Sequence, residues 1–391
     1  MSEADNIVAR IGPGISSFGA ADWDACAGTD NPFTTHAFLS ALEESGSAAG
    51  ATGWQPVPIA IDGRDGRPAA LLPAYVKSHS QGEYVFDHSW AAAYERAGGA
   101  YYPKLQIAVP FTPVPGRRLL LRDHSLAPAL IASAEAVVER HGLSSAHATF
   151  IAPEEVPLFE RAGWLIRADL QFHWHNDGYA GFDDFLAALS SRKRKAIRKE
   201  RETALAGIEV EHLSGAAITE KHWDSFWEFY QDTGARKWGR PYLSRHFFSL
   251  LRERMAERVL LIFARRGGRP IAGALNLIGA DTLYGRYWGT IDEVAHLHFE
   301  ICYYQAIEAA IALGLKRVEA GAQGPHKLSR GYRPVPTWSA HHIADPRLRD
   351  AVSAYLDAER PAVLREIEAL AEMTPFRKSA AQGSNPAKAR P

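Results

Sequence analysis

The sequence predicts an α/β protein of two tandem domains, each a mixed central sheet flanked by helices with the element order βααβββαβ. Three observations predict it. Short apolar runs bounded by turn residues alternate with segments of helical period through the second half. The first half can be laid on the same order with little sequence identity. A chain of 391 residues, 46% hydrophobic, suits two cores of ordinary domain size.

In the second half, Ile208 to Leu213 is predicted as a strand and Thr219 to Gly234 as a helix with Trp223, Phe226, Trp227 and Tyr230 on one face. Ser244 is placed as the N-cap of a helix reaching Met255. A meander follows, with strands Val259 to Ala264, Ile271 to Ile278 and Leu283 to Trp288 joined by turns at Gly267-Gly268 and Gly279-Ala280-Asp281. A helix from about His298 to Leu313 ends on Gly314 as a left-handed cap, and Arg317 to Ala320 returns as a strand.

The first half places strands at Ile7 to Ile11, Trp54 to Ile61, Ala69 to Lys77 and Tyr84 to Phe86. Thr35 caps one helix, Ala127 to His141 is another, and Ala146 to Phe150 is the returning strand. An insertion, 88–122, is rich in aromatics and prolines and reads as a cover over a cleft. The domain division is 1–170 and 171–345, the second entered through a basic helix at 182–206. A helix spans 346–373, and 374–391 reads as a disordered basic tail.

Composition narrows the function. A formal net charge of -1 removes global attraction to DNA or membrane, so any anion recognition must be local. Two isolated cysteines give no disulfide framework, and no run of about eighteen apolar residues is present, which leads to the expectation of a cytoplasmic protein without membrane span. No G-x-S-x-G elbow, P-loop or G-x-G-x-x-G after a strand occurs, which removes serine hydrolase, nucleoside triphosphatase and dinucleotide readings. Acyl transfer to an amine stays open, because it needs only a base, an oxyanion donor and a cradle for the carrier.

The stretch Glu319 to Tyr332 is the leading site candidate, since it lies just past the last inner strand, where open α/β sheets hold ligands. Glu319 can serve as a base, and His326, Lys327 and Arg330 can hold an anion or a carbonyl; the alternative is a Gly-rich turn with solvated charges. Period two puts Tyr284, Arg286 and Trp288 on one strand face, where Arg286 requires a carboxylate or a bound anion. Asp87 and His173 read equally as site groups or as a structural cap and interdomain packing. The run Arg192, Lys193, Arg194, Lys195 and Arg198 reads as a phosphate-binding face or as a solvated helix balanced by nearby acids. His298 and Cys302 share a helix face with no third ligand specified, so no metal is expected.

The segments Asn31 to Phe33, Gly82 to Asp87, Tyr101 to Leu105, Val109 to Pro113, Arg192 to Arg201, Tyr284 to Gly289, Leu297 to Glu300 and Glu319 to Tyr332 together resemble one family. It is the FemAB-like family of peptidoglycan biosynthesis and recognition proteins, within the GNAT acyltransferase superfamily. The resemblance implies two GNAT-like domains and transfer of an acyl or aminoacyl group to the amine of a cell-wall peptide precursor. The donor would be aminoacyl-tRNA or an acyl-CoA, with no tightly bound cofactor. It also implies that Gln323, Tyr332, Tyr102 and Lys104 join the residues above in binding substrate, and that tRNA is a partner of the basic helix. Acetyl-CoA-using GNAT domains cradle pyrophosphate where this chain reads Gly289-Thr-Ile-Asp-Glu-Val-Ala-His296, and Asp292 and Glu293 oppose that anion. The alternative is a non-catalytic module that recognises a peptidoglycan precursor or RNA on the same scaffold.

Overall fold

The computed structural model describes residues 7–237, 241–321 and 324–377, with the backbone alone for 235–237. In the first half the strands are β1 (Ala9–Ile11), β2 (Trp54–Pro56), β3 (Ile59–Asp62), β4 (Pro68–Leu72), β5 (Ala74–Lys77), β6 (Lys104–Ile107), β7 (Leu120–Leu121), β8 (Ser145–Ile151) and β9 (Leu165–His175). The second half holds β10 (Glu209–Ser214), β11 (Val259–Arg266), β12 (Arg269–Ile278), β13 (Thr282–Thr290), β14 (Arg317–Glu319) and β15 (Arg333–Ile343).

Proline explains where the first half departs from expectation. The runs expected as single strands, Trp54 to Ile61 and Ala69 to Lys77, are each broken, at Pro58 and Pro73, where the ladder lacks an N–H. β2 and β5 stay in the large sheet while β3 and β4 turn away into a four-stranded sheet ordered β1-β3-β4-β7. Tyr84 to Phe86 is not a strand, because Tyr84 sits in the left-handed region at φ 60°. Its place in the meander is taken by β6, inside the segment expected to be a covering insertion. That segment also contains the helix His88–Arg96.

The large sheet has eleven strands in the order β10-β11-β12-β13-β14-β9-β15-β8-β6-β5-β2 and runs unbroken through both halves. Its centre is a reciprocal exchange: β9, which follows β8 in the chain, pairs with β14, and β15, which follows β14, pairs with β8. β9 and β15 pair with each other over Arg333–His341 and Leu165–His173, so residue 170 lies inside a strand that belongs to both sides. Two pairs are parallel, β13 with β14 and β6 with β8, one in each half.

The core is also shared. Phe38, on the helix His36–Glu44 capped by Thr35, packs edge-on against Phe247, on the helix Arg245–Met255 capped by Ser244. Trp223, Phe226 and Tyr230 of the helix Glu220–Lys237 extend the same cluster. That helix approaches β13 so closely that a Cβ on Gly289 would stand 2.2 Å from the Phe229 carbonyl oxygen, which is why glycine is required there.

The helix expected from His298 forms as Leu297–Phe299, a π-helical turn Glu300–Tyr304 and the helix Gln305–Ala312, followed by Gly314 at φ 67°. π turns commonly mark functional helices. The entry to the second half is two helices, Phe182–Ala188 and Ser191–Ala204, rather than one. The last helix is Pro346–Glu372, and residues 374–377, expected in a disordered tail, fold back through Phe376, which bridges to Leu189.

Candidate active site

β13 and β14 run side by side only at Thr282–Tyr284 and Arg317–Glu319, after which β13 continues to Thr290 paired with β12 alone. Parallel strands that part in this way open a wedge at their carboxyl ends, where α/β sheets hold ligands. At the mouth of the wedge β13 carries a bulge: Leu275 faces Tyr287, but its neighbour Asn276 faces Gly285, so Arg286 is the extra residue. A bulge re-aims the side chain it carries and shifts the alternation beyond it. Tyr284 and Tyr287 therefore join one core while Leu283 and Trp288 join the other, which corrects the expectation that Tyr284 and Trp288 share a face.

Arg286 is directed at Glu319. Its Nη2 donates to Glu319 Oε2 at 2.9 Å and its Nη1 to the Glu319 carbonyl at 3.2 Å, with both side chains buried. The guanidinium also lies 5.2 Å from the ring centroids of Phe33 and Tyr284, so each half supplies one aromatic ring to hold it. Glu319 Oε1 instead faces His173 Nδ1 on β9, 4.0 Å away. Burial holds His173 down to about 4, so it is neutral at neutral pH.

Lys327 lies in the 3-10 turn Pro325–Arg330, 1% exposed, and its Nζ donates to the Gly321 carbonyl at 2.9 Å. No carboxylate pairs with it among the described residues. Burial and the nearby Arg286 cation push it down to about 7 from the ordinary 10.5. Between those two pH values the unfolded chain holds a proton that the folded chain releases, so stability contributed through this group rises with pH across that window. Chemical denaturation at pH 7 and pH 10 is expected to show that rise in the wild type and to show it reduced in Lys327→Met.

The wedge opens on a cleft of about 460 Å³ between the halves. Tyr84, Phe86, Phe111 and Pro113 line it from the first half; Tyr230, Tyr242, Arg286, Tyr287, Trp288 and Gly321 line it from the second. Phe111 stacks on Tyr242, and Tyr287 donates to the Phe111 carbonyl at 3.0 Å, tying the two walls together. Phe111 belongs to the insertion expected to cover a cleft, and it does form a wall, whereas Trp90 and Tyr101 of that insertion are buried against the last helix. Apart from that insertion and Trp288, which was expected at the site with Arg286, the aromatic wall escapes sequence reasoning, because its members are scattered along the chain and turned inward by residues such as Tyr84 and Phe111 in the left-handed region.

Other expected site residues lie elsewhere. Asp87 and Lys104 are in a closed network under the cleft wall: Lys104 donates to Glu83 at 2.8 Å, to Ser80 at 2.9 Å and to Asp87, and Tyr102 bonds Ser80. Arg330 is neutralised by Glu200 at 3.0 Å and covers the Phe299 ring, pinning the 3-10 turn to the basic helix. His326 is exposed and bonds the Tyr303 hydroxyl at 2.9 Å. Tyr332 is fully buried, and Gln323 lies outside the described residues.

The matching wedge of the first half, between β6 and β8, is filled by its own chain. Fully buried Arg118 donates to the carbonyls of Thr149, Val114 and Gly116, and Gly116 bridges in parallel to Ile151. A single open wedge therefore stands among the described residues of the two parallel pairs.

A family model described as FemAB-like, peptidoglycan biosynthesis/recognition, matches residues 14–378. The chain belongs to the FemAB-like family. Among solved structures, FemX superposes with a TM-score of 0.54 at 13% identity, covering 86% of this chain and 98% of that one. L-PGS from Bacillus licheniformis gives 0.50 at 10%, covering 84% and 98%. At such identities the likeness speaks to the fold. No curated protein matches the sequence. This FemAB-like chain thus belongs to a family described by peptidoglycan biosynthesis and recognition, and it shares its fold with FemX. No described helix is long and apolar enough to cross a membrane.

In this FemAB-like protein the segment 289–296, whose acids were expected to oppose a pyrophosphate, borders a groove of about 700 Å³ lined by Asp292 and Glu293. On the helix Ser191–Ala204, Arg201 is tied to Glu300 at 2.9 Å and Glu308 at 2.8 Å, and Arg198 lies 3.5 Å from Asp183. Arg192, Lys195, Arg198 and Lys199 are exposed, beside the 3-10 turn that carries Lys327.

Proposed function

We propose that this chain moves an aminoacyl group from an RNA carrier to the amine of a cell-wall peptide precursor seated in the cleft. The observation that carries the reading is the cluster Arg286, Glu319 and Lys327 at the one open wedge, bordering the cleft on one side and the basic helix on the other.

The donor's phosphates rest on the exposed face of the basic helix, and its ester carbonyl enters the wedge. The Lys327 ammonium donates to the carbonyl oxygen as negative charge develops there. The acceptor amine attacks the carbonyl carbon, forming the C–N bond, and its proton passes to Glu319 Oε1, while Arg286 holds Oε2. When the ester C–O bond breaks, that proton leaves with the carrier's oxygen. Asp292 and Glu293 disfavour a pyrophosphate at the usual coenzyme position, which supports an RNA carrier over acyl-CoA.

The test is to incubate the purified protein with aminoacyl-tRNAs, and separately with acyl-CoAs, in the presence of muramyl-peptide precursors, and to detect the modified acceptor by mass. Transfer from aminoacyl-tRNA supports the reading; transfer only from acyl-CoA, or none, contradicts it. Alanine at Arg192, Lys195, Arg198 and Lys199 is expected to weaken tRNA binding and flatten its log–log salt dependence by about 0.7–0.9 for each phosphate no longer neutralised. An unchanged slope would remove the helix from the donor site.

A further inference from the structure

Behind Glu319, His173 and Gln171 form a chain that ends in the first half. Gln171 Nε2 donates to the Pro113 carbonyl at 2.9 Å. A backbone carbonyl can only accept, so this contact fixes the amide the right way round and leaves Gln171 Oε1, an acceptor, facing His173 Nε2 at 3.1 Å. His173 Nε2 must then carry the ring proton. In the neutral imidazole, Nδ1 is consequently a bare lone pair, and it points at Glu319 Oε1 across 4.0 Å.

The two oxygens of Glu319 are thereby made unlike. Oε2 is held by Arg286 Nη2, while Oε1 faces a neighbour that accepts and does not donate. The other charged and titratable groups near this carboxylate and the ring are Arg286 and Tyr284 on β13, Arg317 on β14 and His175 on β9, with Lys327 of the 3-10 turn next to Arg286. Of these neighbours of Glu319, His173 has its protonation site dictated through Gln171 by the Pro113 carbonyl.

We infer that His173 is a positioning residue, locked by Gln171 and the Pro113 carbonyl in the Nε2–H tautomer so that Glu319 Oε1 stays free of a hydrogen-bond donor and open to the proton of the acceptor amine. This rests on the proposed role of Glu319. It gives the first half, whose own wedge is closed, a part in the chemistry of the second. Pro113 also lines the cleft, so the lock is set by the wall against which the acceptor rests. Release of the lock would let the ring take the Nδ1–H tautomer and donate to Oε1, and a carboxylate given a donor takes a proton less readily.

The lock is read without any turnover. In protein carrying ¹⁵N-labelled histidine, the His173 ring, assigned by its loss in His173→Gln, is expected at pH 7 with a protonated Nε2 and an unprotonated Nδ1. A ring protonated at Nδ1, or at both nitrogens, overturns the proposal. In Gln171→Leu the protonated fraction at Nδ1 is expected to rise, with kcat for transfer falling about tenfold and KM for donor staying within about twofold. A tautomer shift with unchanged kcat overturns the positioning role. If the wild type transfers no group from any carrier, the functional reading fails, while the wild-type spectrum still decides the lock.

Discussion

Glu319→Gln is expected to lower kcat for transfer by about 10²–10⁴-fold, the usual worth of a positioned proton acceptor, while donor KM changes little. The variant is informative because the amide oxygen can still accept from Arg286 Nη2, the contact made at 2.9 Å in the wild type. Shape and most hydrogen bonds survive; the capacity to take a proton from the amine does not. Loss of the negative charge leaves the buried Arg286 cation less well balanced, so stability also falls. Thermal melting measured beside the kinetics separates the two effects: a folded variant with donor affinity intact and turnover gone assigns Glu319 to chemistry. Retained turnover would reduce Glu319 to a structural partner of Arg286 and favour the recognition-module reading of the fold.

Lys104→Met is expected to destabilise the protein by about 3–5 kcal/mol, since removing one partner of a buried ion cluster leaves the others uncompensated. Lys104 is fully buried and faces two buried carboxylates, Glu83 and Asp87. Their environments already differ: burial pushes Glu83 up to about 7, whereas the Lys104 cation and neighbouring donors outweigh burial at Asp87 and bring it well below the usual carboxylate range. The second nearby lysine, Lys77, cannot take over, because it lies 3.9 Å from Glu83 and over the Trp54 ring. The cleft wall from Ser80 to His88 hangs on this cluster, so chemical denaturation should show the loss of stability and acceptor KM should rise. A neutral substitution without either effect would mean that the wall is held by its backbone alone.

Apart from β15, which was not expected, the second half was legible because its strands are bounded by local signals: Gly267-Gly268, Asp281, Gly314 and the Ser244 cap act within a few residues. What sequence patterns could not reveal is non-local. The exchange of β9 and β15 depends on pairing between strands that stand far apart in the chain, and both are long and mixed in polarity because their two faces meet different neighbours. The bulge at Arg286 arises from the register of β12 against β13, and a period-two reading of Tyr284 to Trp288 has no means of detecting it. In the first half, Pro58 and Pro73 were visible, but that each would send half a strand into a second sheet was not.

The candidate site divides along the same line. Glu319 and Lys327 were singled out because their stretch follows the last inner strand, and Arg286 because an arginine on a strand face requires a partner; the structure pairs Arg286 with Glu319 and sets Lys327 close to Arg286. Arg330 and Lys104 carry the same signature, and the structure spends it on Glu200 and on Glu83 with Asp87. A buried charge signals a partner; whether that partner is a ligand or the protein itself depends on the fold.

The most direct measurement is a structure of the protein with an aminoacyl-adenosine amide, a stable mimic of the donor's acylated end. The account predicts the acyl carbonyl where β13 parts from β14, with its oxygen within hydrogen-bond reach of Lys327 Nζ and the nucleoside lying toward the basic helix. An analogue bound in the groove beside Asp292 and Glu293, or with its carbonyl remote from Lys327 and Glu319, would contradict it.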